Sequence, residues 1–232
     1  MFTDLSFILM LPFLFLSIWA QNSVASNYKK YSQEPSQKGL TGEQVATQLL
    51  ANSGITDVTV EQIDGTLTDH YDPRQKKVRL SEATFTSDSV AAVSIAAHEV
   101  GHAIQHNTGY APLSLRTNLL PLATIGSTAG MWLFTLGVIL TFATRNPMAH
   151  QVMFFGILFF SAAVSFQLLT LPVEYNASKR AIDLLQDHAL LEETELNDAK
   201  VVLSSAALTY VAAATIAIAQ LFRFIYLFTR GK

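Results

Sequence analysis

Residues 90–106 read VAAVSIAAHEVGHAIQH, and the rest of the chain is best understood outward from them. Apolar and small residues recur at helical spacing. Ser87, Asp88 or Ser89 can cap the start, and Asn107 to Gly109 supply a stop, so the stretch is predicted as a helix. Within it, His98-Glu99-Val100-Gly101-His102 has HExxH spacing. On a helix the two imidazoles share a face about 6 Å apart along the axis, close enough for both to reach one zinc ion. Glu99 is offset by about 100° from His98, which sets it beside the metal as a general base for the attacking water. The bland alternative is a chance match in an alanine-rich helix. Placement on a helix with clear ends is the context the motif requires.

A catalytic zinc needs a third protein ligand and an open position. His106 continues the i, i+4 spacing but lies about 12 Å along the axis from His98, too far to share a tetrahedral ion. The metzincin pattern would need glycine at 105 and histidine at 108, where this chain has Gln105 and Thr108. Glu174 is the best remaining candidate. It follows an apolar run directly and opens a predicted helical segment, VEYNASKRAIDLLQ, in which Ser178 shares its face and can brace a zinc ligand. Its bland reading is a first-turn acid that favours the helix dipole. Glu192, Glu193 and Glu195 read as a solvated acidic turn.

Upstream, GEQVATQLLAN at 42–52 is predicted as a helix ending at Ser53-Gly54. DVTVEQI and KKVRLSEATF alternate as two strands, with Asp69 to Arg74 as a turn around Pro73. The second strand is positioned to bind an extended peptide by strand addition. His70, Tyr71, Arg74, Arg180 and His188 are candidates to steady an oxyanion.

Half of the 232 residues are hydrophobic and 14 % are charged, too apolar for an ordinary soluble domain of this size. Four apolar runs, Leu5 to Ala20, Leu119 to Ala143, Met148 to Leu171 and Ala206 to Phe228, approach the ~20 residues a helix needs to cross a bilayer. The first lacks the basic flank of a secretory signal and reads as a retained anchor. With no cysteine in the chain, disulfides and thiolate metal sites are excluded. The net charge of −3 and the scattered basic residues give no argument for nucleic acid.

Four long segments carry a resemblance: TGEQVA at 41–46, GTLTDHYDPRQKKVRLSE at 65–82, AAHEVGHAIQHNTGYAPLSLR at 96–116 and LPVEYNASKRA at 171–181. The sequence resembles the YugP-type membrane-bound neutral zinc metallopeptidases over nearly its whole length. EYNAS is more distantly similar to the E-Y-x-A-D segment of the HtpX heat-shock proteases and the CaaX prenyl proteases, where the glutamate ligates zinc. By that resemblance Glu174 is the third ligand. The chain departs from the distant pattern at Ser178, where those proteases have aspartate.

The expectation is therefore a mainly α-helical integral membrane protein of about four transmembrane helices with a small α+β zincin-like catalytic domain. Its expected divisions are an anchor at 1–20, a catalytic region at 21–118, two spans within 119–171, a ligand-bearing segment at 172–205, and a last span and tail at 206–232. The expected activity is a zinc-dependent endopeptidase held by the lipid bilayer and acting on proteins or peptides. Its site residues are His98, His102 and Glu174 for zinc and Glu99 as base. A scaffold that keeps zinc for structure is the competing reading, but a structural site needs no base beside its ligands. Lys29, Lys30, Arg116, Lys179 and Arg180 outnumber Arg145, Arg230 and Lys232, which favours a cytoplasmic catalytic face in a multi-pass cell-membrane protein. Because spans alternate sides, single cysteines at positions 25 and 197 should be labelled by an impermeant reagent from one side and those at 146 and 232 from the other. Labelling of 25 and 197 from opposite sides would defeat the shared site.

Overall fold

The computed structural model describes residues 8, 10–144 and 148–230. Their chain forms two compact units: Met1–Trp19 with Ser114–Leu171 and Thr209–Lys232, and Ala20–Leu113 with Pro172–Leu208. In chain order the elements are helix α1 (Leu11–Tyr31), α2 (Gly42–Asn52), strands β1 (Thr59–Ile63), β2 (His70–Asp72) and β3 (Lys77–Ser81), and helices α3 (Glu82–Phe85), α4 (Val90–Asn107), α5 (Ala111–Thr144), α6 (Met148–Asp187) and α7 (Glu193–Arg230).

In the second unit, local chemistry sets the helix ends. Thr41 and Gln44 form a reciprocal capping box on α2, and the Ser89 hydroxyl accepts from the Ala92 N–H at the start of α4. Gly109, at φ +62°, turns the chain out of α4 where a side chain would be strained. Val45, Leu49 and Leu50 of α2 meet Val93, Ala97 and Val100 of α4 in one core. Val78 and Leu80 of β3 enter the same core, while the alternate residues Lys77 and Arg79 point outward to Glu61 of β1. Ala181 and Leu185 from the C-terminal part of α6, and Leu196 and Leu203 from α7, complete it. Truncating one such leucine to alanine costs about 2–5 kcal/mol.

The sheet order is β1-β3-β2, with β1 parallel and β2 antiparallel to β3. Three expectations change here. The segment Asp69 to Arg74 contains strand β2, because its residues 70–72 pair with Lys77–Arg79; the turn proper follows, with Asp72 Oδ1 accepting from the N–H groups of Arg74 and Gln75. EATF is a helical turn, so the second predicted strand ends at Ser81. β3 is the central strand, so its ladder is occupied on both sides and the free edges belong to β1 and β2.

By length and composition, three helices among the described residues could cross a membrane: Ala111–Ala143 of α5, then α6 and α7. The expected first span, Leu5 to Ala20, lies partly outside the described residues, and α1 is not among the three. The α5–α6 packing depends on missing side chains. A Cβ on Gly130 would come within 2.7 Å of the Phe160 nitrogen, and one on Gly156 within 2.5 Å of the Phe134 nitrogen. Small residues let backbones approach this closely where burial from water gives no drive for association. Trp132, Phe142 and Phe154 stay exposed, as suits a lipid-facing surface.

The segment around Glu174 also departs from expectation. No new helix opens there: α6 runs unbroken from Met148 to Asp187 with Pro172 inside it, so Glu174 sits well within a helix and the first-turn dipole reading does not apply. In the second unit this part of α6 meets α4 at Gly101, where a Cβ would stand 2.6 Å from the Ala177 carbonyl oxygen. Gly101→Ala gains up to about 1 kcal/mol of helix propensity but must push two backbones apart, which costs about 1–3 kcal/mol. Thermal unfolding of Gly101→Ala should therefore show a lower Tm; an unchanged or higher Tm would contradict so close an approach.

Candidate metal centre

His98 and His102 lie one turn apart on α4 and face Glu174 on α6. Nε2 of His98 is 3.2 Å from Oε2 of Glu174, and Nε2 of His102 is 3.6 Å from the same oxygen. One donor atom from each of the three residues lies within 4.8 Å of the others. Ligands at zinc distances on a tetrahedron stand roughly 3.3–3.5 Å apart, close to the two separations from Glu174. Two imidazoles and a carboxylate also match the ligand chemistry of catalytic zinc, leaving a position open. Glu174 is 3 % exposed and His102 8 %, so neither is a loose surface group.

A ring of partners stands behind these donors. The Ser178 hydroxyl lies 3.1 Å from Nδ1 of His98, where helical spacing from Glu174 expects it. Nδ1 of His102 is 3.0 Å from Oε1 of Gln105. The Gln105 amide donates in turn to the Val173 carbonyl (2.8 Å) and to Oδ1 of Asn176 (3.0 Å), which also accepts from Nε of Arg180 (2.8 Å). Sequence reasoning gave Gln105 no role beyond breaking the metzincin pattern and did not single out Asn176. The available signal was the i, i+3 relation of Gln105 to His102 on a helix face.

Glu99 is 7 % exposed, beside the donors. Burial pushes its carboxyl above the usual range, against the pull of His98 and His102 and with a contribution from the Glu174 charge. For His102, burial disfavours the imidazolium, but the hydrogen bond to Glu174, the charges of Glu99 and Glu174 and the Gln105 contact together hold its pKa above the ordinary value.

The other sequence-predicted residues lie elsewhere. His106 is exposed and its Nδ1 is 2.8 Å from the Tyr71 hydroxyl, so it joins the metal helix to β2. Burial, with the charges of Asp57 and Asp72, raises the Tyr71 phenol to about 12. The exposed His70 ring lies 2.8 Å from the Thr68 carbonyl, and Arg180 is engaged by Asn176. Glu195, expected in a solvated turn, is buried and accepts from the N–H groups of Gln37 and Glu192.

A protein-family model described as "Putative neutral zinc metallopeptidase" matches residues 6–229. The chain is 44 % identical over 217 residues to "Putative membrane protease YugP" of Bacillus subtilis (strain 168), covering 94 % of this chain and 93 % of that protein. No solved structure matches the chain. If this cluster holds the metal, analysis of detergent-purified protein should give about one zinc per chain, with His98→Ala and His102→Ala each losing most of it. Full zinc in the double alanine variant would place the metal elsewhere.

Proposed function

Because this chain belongs to the neutral zinc metallopeptidase family, we propose that it is a membrane-embedded endopeptidase in which His98, His102 and Glu174 hold zinc and Glu99 is the general base. The observation that carries this reading is the convergence of three donor atoms from two helices within 4.8 Å, with a buried carboxyl beside them. When bound, zinc supplies Lewis acidity that polarises the scissile carbonyl and makes the attacking water more acidic. Glu99 accepts the proton of that water and delivers it to the leaving amine. Its buried place beside the donors lets it serve both halves of that transfer, first as base and then as acid. Ser178 and Gln105 orient the imidazoles from behind, so that their Nε2 atoms stay aimed at Glu174.

The bilayer determines which substrates are available. α5, α6 and α7 are the three candidate spans, and we take the apolar start of the chain as a fourth. The excess of Lys and Arg beside the catalytic segments favours the cytoplasm for that face. The substrates are then proteins or peptides presented at or near the membrane surface.

Two acidic residues thus share one site with different duties, and mutation separates them. Glu99→Gln should retain zinc while cleavage of a fluorogenic peptide library falls by ~100-fold or more. Glu174→Gln should weaken zinc binding itself, with activity partly restored by excess zinc. If Glu174→Gln kept full affinity and activity, the third ligand would not be Glu174; if Glu99→Gln kept full turnover, the base would not be Glu99.

A further inference from the structure

The most completely buried polar side chain beside the donors is Gln105, at 0 % exposure, and all its hydrogen-bonding groups are engaged. Its partners fix its orientation without ambiguity. The Val173 carbonyl can only accept, so the Gln105 atom 2.8 Å away is the amide nitrogen. The second contact agrees. Arg180 can only donate, so the Asn176 atom it meets at 2.8 Å is the oxygen, and Gln105 must donate to that same oxygen. The Gln105 carbonyl therefore faces Nδ1 of His102 at 3.0 Å, and an acceptor there requires Nδ1 to carry the hydrogen. That leaves the lone pair of neutral His102 on Nε2, the atom aimed at Glu174. Ser178, the matching partner of His98, is a hydroxyl that donates or accepts and imposes no such choice.

We propose that Gln105 is a positioning residue with two duties: its carbonyl sets the tautomer and direction of His102, and its amide nitrogen ties the helix of His98 and His102 to the helix of Glu174. The second duty follows from the same contacts, since Val173 and Asn176 flank Glu174 on α6. One side chain thereby couples the direction of one donor to the position of another. The inference deepens the reading of His102 and Glu174 as zinc ligands and rests on it.

The test uses full-length protein in detergent. Zinc affinity is measured by competition with a chelating dye, and the Tm gap between chelator-stripped and zinc-loaded protein is measured alongside it. Gln105→Met conserves length and removes every polar contact; it should lower zinc affinity by about 10–100-fold and narrow the gap. Gln105→Glu keeps an acceptor for Nδ1 but, when ionised, has no donor for Val173, so it should lower both Tm values while binding zinc about tenfold or more tighter than Gln105→Met. A merely structural role would lower both Tm values alike and leave gap and affinity unchanged in both variants, which would overturn the proposal. Equal zinc loss in the two would overturn the assignment to the carbonyl oxygen. If Gln105→Met does not accumulate, Asn176→Ala removes one anchor of the amide from a less buried position and should narrow the gap in the same direction; no change would count against the proposal. His102→Ala separates the two levels. Unaltered zinc affinity in His102→Ala would remove the ligand reading and the inference with it, whereas loss there with full affinity in Gln105→Met would overturn the inference alone.

Discussion

The cluster of His98, His102 and Glu174 depends on how closely α4 can approach α6. Ligands from one helix cannot complete the site, because the two histidines of α4 supply two donors and the next histidine, His106, is turned to Tyr71. The third must come from a neighbouring helix whose backbone lies nearly in contact, and the Ala177 carbonyl against Gly101 provides that contact. The glycine between the two histidines therefore has a steric reason. Ala177, one turn after Val173, is itself fully buried, and Glu174 and Ser178 of the same helix meet the two ring nitrogens of His98.

Such proximity concentrates buried charge. Glu99 and Glu174 are both nearly inaccessible, and two unpaired carboxylates at that depth would be costly. The site divides the difficulty. Glu174 is met by two imidazoles, whereas Glu99 keeps its proton more tightly because burial outweighs the histidine charges. Different surroundings thus suit the two carboxyls to the different duties proposed for them, Glu174 as ligand and Glu99 as base.

Much of this was legible in the chain because it rests on short-range rules. The cap at Ser89, the stop at Gly109 and the i, i+4 histidines depend on residues within a turn or two of each other. Ser178 was legible for the same reason, as a neighbour of Glu174. Gln105 was not, since its meaning comes from Val173 and Asn176, 68 and 71 positions away. Pro172 misled in the opposite sense: a proline commonly ends a helix, yet here the helix continues through it. The three-residue strand β2 was read as turn because its pairing with β3 is too short to leave an alternating pattern.

The continuity of α6 also acts as a ruler. Its apolar run, Met148 to Leu171, is 24 residues long, about 36 Å of helix against a hydrocarbon layer of about 30 Å. Glu174 follows three residues later in the same helix, with Pro172 between. Inserting or deleting one residue between Glu174 and Ala181 would shift Glu174 by about 1.5 Å and rotate it by about 100° relative to the core residues Ala181 and Leu185, carrying it away from the histidines. Length and phase are therefore locked together in this stretch of helix.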